Sequence, residues 1–193
     1  MKVLIIYAHP DKKSFNQAIL KRIEGVLAEL QQEVRVRDLY AMGFDPVFRV
    51  EEQAKLQKNR TPVAIKTEQK HISWADLLII IHPIWWFSMP AIMKGYIDKV
   101  LQAGFAYTYE KGHLTGLLQN KKLLIINTTG TPENLMEKNG IKKVLQTTMD
   151  NGIYKFCGLK VVHKFLTGVP YIDEKAREAY LDEIESYLWQ EFK

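Results

Sequence analysis

Apolar and polar positions follow two rhythms along this chain. Residues 2–8 form a continuous run rich in Val, Ile and Leu, the texture of a strand covered on both faces. Residues 76–82 and 123–127 repeat it, with Pro83 expected to stop the first of these two strands. Residues 33–39 alternate instead, with Val34, Val36 and Leu39 separated by charges, and suit a strand nearer a sheet edge. A fifth strand is predicted over residues 159–166. Between the strands, apolar residues recur every three or four positions, as in Ile19, Ile23, Val26 and Leu30, or Tyr180, Ile184, Tyr187 and Leu188. Two further helices carry Ile92/Met93, Tyr96/Ile97 and Val100/Leu101, and Ile141, Val144, Leu145 and Met149. Ser14 with Gln17 has the spacing of a capping box, and Pro90 suits a first helical residue. Residues 40–49, holding Gly43 and Pro46, predict a loop, and a polar, moderately helical stretch runs on to about Ser73.

Strand then helix, five times over, predicts an α/β doubly wound parallel sheet with right-handed crossovers and helices on both faces. Five strands favour the order 2-1-3-4-5, whose ligands bind beyond the carboxyl ends of the strands near the switch between strands one and three. Three segments therefore matter most: residues 9–16, 83–89 and 128–131.

Composition narrows the picture. A chain of 193 residues, 47% of them hydrophobic, can bury one substantial core, so residues 1–193 are expected to form a single domain. Its apolar runs fall far short of the ~20 residues that span a membrane, and no basic-then-apolar leader opens it, which predicts a cytoplasmic protein. The net charge of +5 is spread among acidic residues rather than drawn into a stripe, which argues against nucleic acid and suits a mild attraction for anionic cofactors. Cys157, the single cysteine, has no partner for a disulfide or zinc pair and reads as a buried structural thiol. His71, His113 and His163 stand at no metal-ligand spacing, so no metal is expected and surface or structural roles are assigned to them.

The first segment, His9-Pro10-Asp11-Lys12-Lys13-Ser14-Phe15-Asn16, leads into a helix start, where free N–H groups and the helix dipole favour an anion. His9, Ser14 and Asn16 can add donors to a phosphate; the plainer reading is that Ser14 caps the helix and His9 packs at a strand end. Neither a dinucleotide fingerprint nor a Walker loop occurs in the chain. The second segment sets three aromatics in a row, Trp85-Trp86-Phe87, between Pro83-Ile84 and Ser88-Met89-Pro90. A flat ring system would supply the burial such a loop lacks, against the alternatives of a hydrophobic plug or a dimer contact. In the third, Thr128-Thr129-Gly130-Thr131 can wrap polar groups around one edge of the same ligand, with Gly130 allowing close backbone approach. No acid–base pair or activated nucleophile stands in the three segments, so the reactive chemistry is expected from a cofactor.

These motifs, together with Pro90-Ala91-Ile92-Met93-Lys94-Gly95 and Phe105-Ala106-Tyr107, resemble the NAD(P)H:quinone oxidoreductase family of flavodoxin-like flavoproteins over nearly the whole length. The resemblance implies that His9, Ser14, Phe15 and Asn16 hold a flavin's phosphate and ribityl arm. It places Pro83, Ile84, Trp85, Trp86 and Phe87 along the isoalloxazine, and Thr128, Thr129 and Gly130 at its polar edge. Tyr107 and Tyr109 correspond to residues that line the substrate pocket of the neighbouring subunit, which implies a homodimer. Where mammalian members have a second glycine, this chain has Thr131-Pro132, and the Tyr and His linked there to hydride transfer are replaced around Met136 and Lys142. The long C-terminal extension of the mammalian enzymes has no counterpart, leaving FMN as well supported as FAD.

The expected activity is two-electron hydride transfer from NAD(P)H through the flavin to a quinone or similar aromatic acceptor. The leading rival is a flavin-binding regulatory subunit of a potassium efflux system; a flavodoxin-type carrier fits less well, because residues 9–16 lack its Thr- and Gly-rich phosphate loop.

Overall fold

The computed structural model describes residues 1–57, 60–110 and 112–192. The chain runs through β1 (Lys2–Tyr7), α1 (Phe15–Glu29), β2 (Glu33–Asp38), α2 (Val50–Gln57), α3 (Val63–Trp74), β3 (Leu77–Pro83) and α4 (Ala91–Val100). A small hairpin of β4 (Tyr107–Glu110) and β5 (His113–Gly116) follows, then β6 (Lys122–Thr128), α5 (Glu133–Lys138) and α6 (Ile141–Leu145). A π-helical segment (Gln146–Lys155), β7 (Lys160–Leu166) and α7 (Glu174–Glu191) complete it.

The five long strands pair in parallel in the order β2-β1-β3-β6-β7, the 2-1-3-4-5 arrangement expected of a flavodoxin-like sheet. Because side chains alternate across a strand, each central strand feeds two cores. Val3, Ile5, Tyr7, Ile79, Ile81, Leu124 and Ile126 face α1 and α7. Leu4, Ile6, Leu78, Ile80, Leu123 and Ile125 face the side chains of α3, α4 and the π-helical segment. The register sets Tyr7 beside Ile81 and Ile81 beside Ile126, so the chain leaves β1, β3 and β6 at one level.

Some boundaries differ from expectation. Pro83 does not stop β3 but closes it, paired with Thr128; a proline fits there because only its own amide is missing, and Ile84 N–H makes the last rung to the Thr128 carbonyl at 2.7 Å. Pro90 is the cap before α4 rather than its first residue, with an extended ψ of 147°. The polar stretch before Ser73 divides into α2 and α3, and Lys58 and Asn59 within it lie outside the described residues. The β4–β5 hairpin was not foreseen. The single helix expected around Ile141 to Met149 is a short α-helix that widens into π turns, carrying Met149, Asp150 and Tyr154 inward.

Candidate functional site

The level strand ends gather the three segments. After β1, Asp11 organises the turn: Lys13 N–H donates to its carboxylate at 2.7 Å, and Asp11 N–H donates to His9 Nδ1 at 3.0 Å. Ser14 caps α1, its hydroxyl accepting from Gln17 N–H at 3.2 Å. That is the role the helix-start spacing predicts, and it leaves the positive end of α1 facing the opening.

Asn16 is buried, and its Nδ2 donates to Thr128 Oγ1 at 2.8 Å across to the end of β6. Its Oδ1 is equally buried and has no partner among the described residues. A buried acceptor left unpaired is costly and marks a place where a donor is expected. After β6, Thr129 N–H bonds the Leu166 carbonyl at 2.9 Å and Thr131 N–H the Thr129 hydroxyl at 3.1 Å, so this loop is braced from β7.

The aromatic loop is a tight turn. Trp85 and Ser88 exchange backbone hydrogen bonds at 2.9 and 3.0 Å, and the two residues between them, Trp86 and Phe87, have φ of +50° and +53°. Left-handed backbone in two bulky residues is strained, and such strain clusters at ligand clamps. The turn aims its rings apart. Trp85 meets His9 edge-on at 6.0 Å, bridging the first and second segments, while Trp86 is 97% exposed.

The three aromatics therefore do not form one continuous wall, as their adjacency suggests. They divide between two clefts that share Ile84, Thr129 and Gly130. One, of about 210 Å³, is lined by His9, Ser14, Phe15, Asn16, Pro83, Ile84, Trp85, Thr128, Thr129 and Gly130, joined by Val169 and Pro170. The other, of about 430 Å³, has Trp86 and Phe87 with Thr131, Pro132, Leu135 and Tyr171. Every residue singled out for cofactor binding thus lines one cleft or the other. Val169, Pro170 and Tyr171 were missed, although the rule that ligands sit at carboxyl ends of strands covers the loop after β7 as well.

Tyr107 and Tyr109 lie elsewhere. Tyr107 packs edge-on against Phe156 at 5.0 Å and lines a third cleft of about 350 Å³ with Phe48, Leu101 and Ile153, while Tyr109 is exposed. Within one chain they do not join the strand-tip clefts. Nor do the two replaced positions: Met136 is in the core, and Lys142 pairs with Glu133 at 3.2 Å. The thiol of Cys157 is buried and pushed up to about 11 by desolvation, which keeps it inert.

Comparison with known proteins accords with this architecture. Residues 1–188 match the family model described as flavodoxin-like fold, and the chain belongs to that family. A Haemophilus influenzae protein named an uncharacterized NAD(P)H oxidoreductase is 40% identical, over 94% of this chain and 91% of its own. NAD(P)H dehydrogenase (quinone) 1 of Cavia porcellus is 36% identical over 86% of this chain and 68% of its own length. Among solved structures, an NAD(P)H:quinone oxidoreductase from Methanothermobacter marburgensis superposes with a TM-score of 0.88 at 29% identity, covering 96% of each chain.

Proposed function

We propose that this protein is a flavin-dependent NAD(P)H:quinone oxidoreductase that works as a homodimer. That it is an oxidoreductase accords with the names its family relatives carry. The observation that carries the flavin reading is the strand-tip cleft, where a helix start, a buried unpaired acceptor and aromatic side chains converge.

The residues fit such a group. The start of α1 favours the negative phosphate end, with the His9 ring at the rim. Asn16 Oδ1, held in place by the bond from Nδ2 to Thr128, is set to accept from a ribityl hydroxyl. Ile84 and Trp85 would flank a flat ring, with Thr129 and Gly130 toward its polar edge. The flavin, when bound, supplies the chemistry of accepting and giving up a hydride. Trp86 and Phe87 stand over the adjoining cleft, where a nicotinamide and then an aromatic acceptor would each be held at reacting distance and screened from water. The exposed Tyr109, and the cleft beside Tyr107 with its mixed lining of Phe48, Leu101, Ile153 and Phe156 beside Asp98 and Gln102, would meet a second copy, bringing these tyrosines to the partner's opening.

An absorption spectrum of purified protein reconstituted with FMN or FAD tests the reading, with bleaching by NADH or NADPH and recovery on adding a quinone as the expected result. A colourless protein, or a bound flavin that neither nicotinamide reduces, overturns it.

A further inference from the structure

β7 is the outermost strand of the sheet, and among the described residues no strand pairs with its free side. The Leu166 carbonyl accepts from Thr129 N–H at 2.9 Å, so Leu166 turns its backbone toward β6 and the next residue, Thr167, turns its own away. An edge of this kind leaves an N–H and a C=O in need of partners. Thr167 is nevertheless buried, and one side chain serves both groups: Tyr180, from α7. Thr167 N–H donates to Tyr180 Oη at 3.3 Å, and Tyr180 Oη donates to the Thr167 carbonyl at 3.2 Å. The Thr167 hydroxyl lies 3.2 Å from the same oxygen and donates to its remaining lone pair. One phenol thus does what a neighbouring strand would do at this rung.

The rung holds a wall of the cofactor cleft. From Thr167 the chain turns at Gly168, with φ of +64°, into Val169 and Pro170, which line the strand-tip cleft. Gly168 N–H donates to the Thr131 carbonyl at 3.0 Å and Val169 N–H to the Thr129 carbonyl at 3.1 Å, so the loops after β6 and β7 are stapled together. One turn before Tyr180, Arg177 Nη2 donates to the Val169 carbonyl at 3.2 Å. α7 therefore grips this loop at two points, and Tyr180 holds its root.

We propose that Tyr180 is a positioning residue for the cofactor cleft: its hydroxyl stands in for a sixth strand and, through Thr167, fixes the paired loops that carry Thr129, Gly130, Val169 and Pro170. Tyr180 itself lines neither strand-tip cleft. A loop fixed in advance spares the ligand the cost of ordering it, which is a direct gain in affinity. The effect on a bound cofactor rests on the flavin reading, whereas the brace does not.

Tyr180→Phe keeps the ring and removes only the hydroxyl. Asp173→Ala, which loses the cap of the same helix, is the control for a general weakening of α7. Amide hydrogen exchange of the ligand-free proteins reads the brace. In wild type the Thr167 amide should exchange slowly although it is on the outer side of an edge strand, and exchange at the rate of an open amide overturns the proposal without any variant. In Tyr180→Phe the exchange of Gly168 and Val169, taken relative to Ile126 in β6, should quicken about tenfold, the worth of one or two net hydrogen bonds. In Asp173→Ala the same ratio should hold. An unchanged ratio in Tyr180→Phe overturns the brace. FMN titrated by fluorescence quenching then reads the cleft: its dissociation constant should rise about tenfold in Tyr180→Phe and keep the wild-type value in Asp173→Ala. Equal constants in wild type and Tyr180→Phe, or an equal rise in both variants, overturn the link to the cleft. Wild-type protein that takes up no FMN defeats the proposed function instead, and the exchange ratios still decide the brace.

Discussion

Asn16 commits its amide nitrogen to Thr128 and leaves its oxygen buried and without a partner among the described residues, an arrangement that a ligand donor would relieve. Asn16→Ala should therefore weaken FMN binding by about tenfold or more while costing only about 1 kcal/mol of folding stability, as fluorescence titration and urea unfolding would show. Trp86 makes the opposite case. Its backbone is left-handed and its ring is almost wholly in solvent, so it strains the turn and receives little packing in return. Trp86→Gly should stabilise the ligand-free protein by about 1 kcal/mol and raise the KM for the acceptor, measured by urea unfolding and steady-state kinetics. In the sequence the aromatic triplet stands out as a candidate ring-binding loop. That Trp85 turns toward His9 while Trp86 and Phe87 serve a second cleft was not legible there, because adjacency carries no φ angle.

Helix starts divide into those that only cap and those that also face a ligand. Asp173 caps α7, accepting from Ala176 N–H at 2.8 Å, as Ser14 caps α1. Asp173→Ala and Ser14→Ala should each cost about 1 kcal/mol in thermal or urea unfolding. Only Ser14→Ala should also weaken FMN binding, and equal affinities in the two variants would return Ser14 to a purely structural role. The strands were legible because β1, β3 and β6 are buried on both faces and carry unbroken apolar runs. The β4–β5 hairpin was not, since Tyr-Thr-Tyr-Glu and His-Leu-Thr-Gly are largely exposed and have too few residues to show a period.

Taken as a whole, the molecule stores its polar risk at the centre of the sheet. His82 is held near 4 against an ordinary 6.5, so between those values the unfolded chain binds a proton that the folded chain refuses. Its neutral burial is undisturbed above the ordinary value, and stability falls as pH drops through the window, by roughly 3 kcal/mol at its foot. Urea midpoints taken at neutral and acid pH should show this loss, and His82→Gln should flatten it. The quaternary prediction is separate: Tyr109→Ala should leave flavin content unchanged and lower kcat/KM for the quinone by roughly tenfold, the worth of one aromatic contact. The buried contacts of Asp150 with His163, of His163 with Asn127 and of Asn127 with the His82 carbonyl escaped the sequence because these residues are far apart in the chain and come from three strands and a π-helical segment. Of the two roles read there for His163, surface or structural, its burial against Asp150 is the structural one.

The strand-tip cleft borrows from four stretches of chain, reaching from His9 to Pro170, none of which closes it alone. Whatever seats there fastens early and late parts of the polypeptide together, and at a hundredfold excess over its dissociation constant it adds about 2.7 kcal/mol to the folded state. Empty copies open more often and meet proteases sooner than filled ones. Under the proposed flavin reading, the amount of this protein that a cell retains should fall when its flavin supply falls.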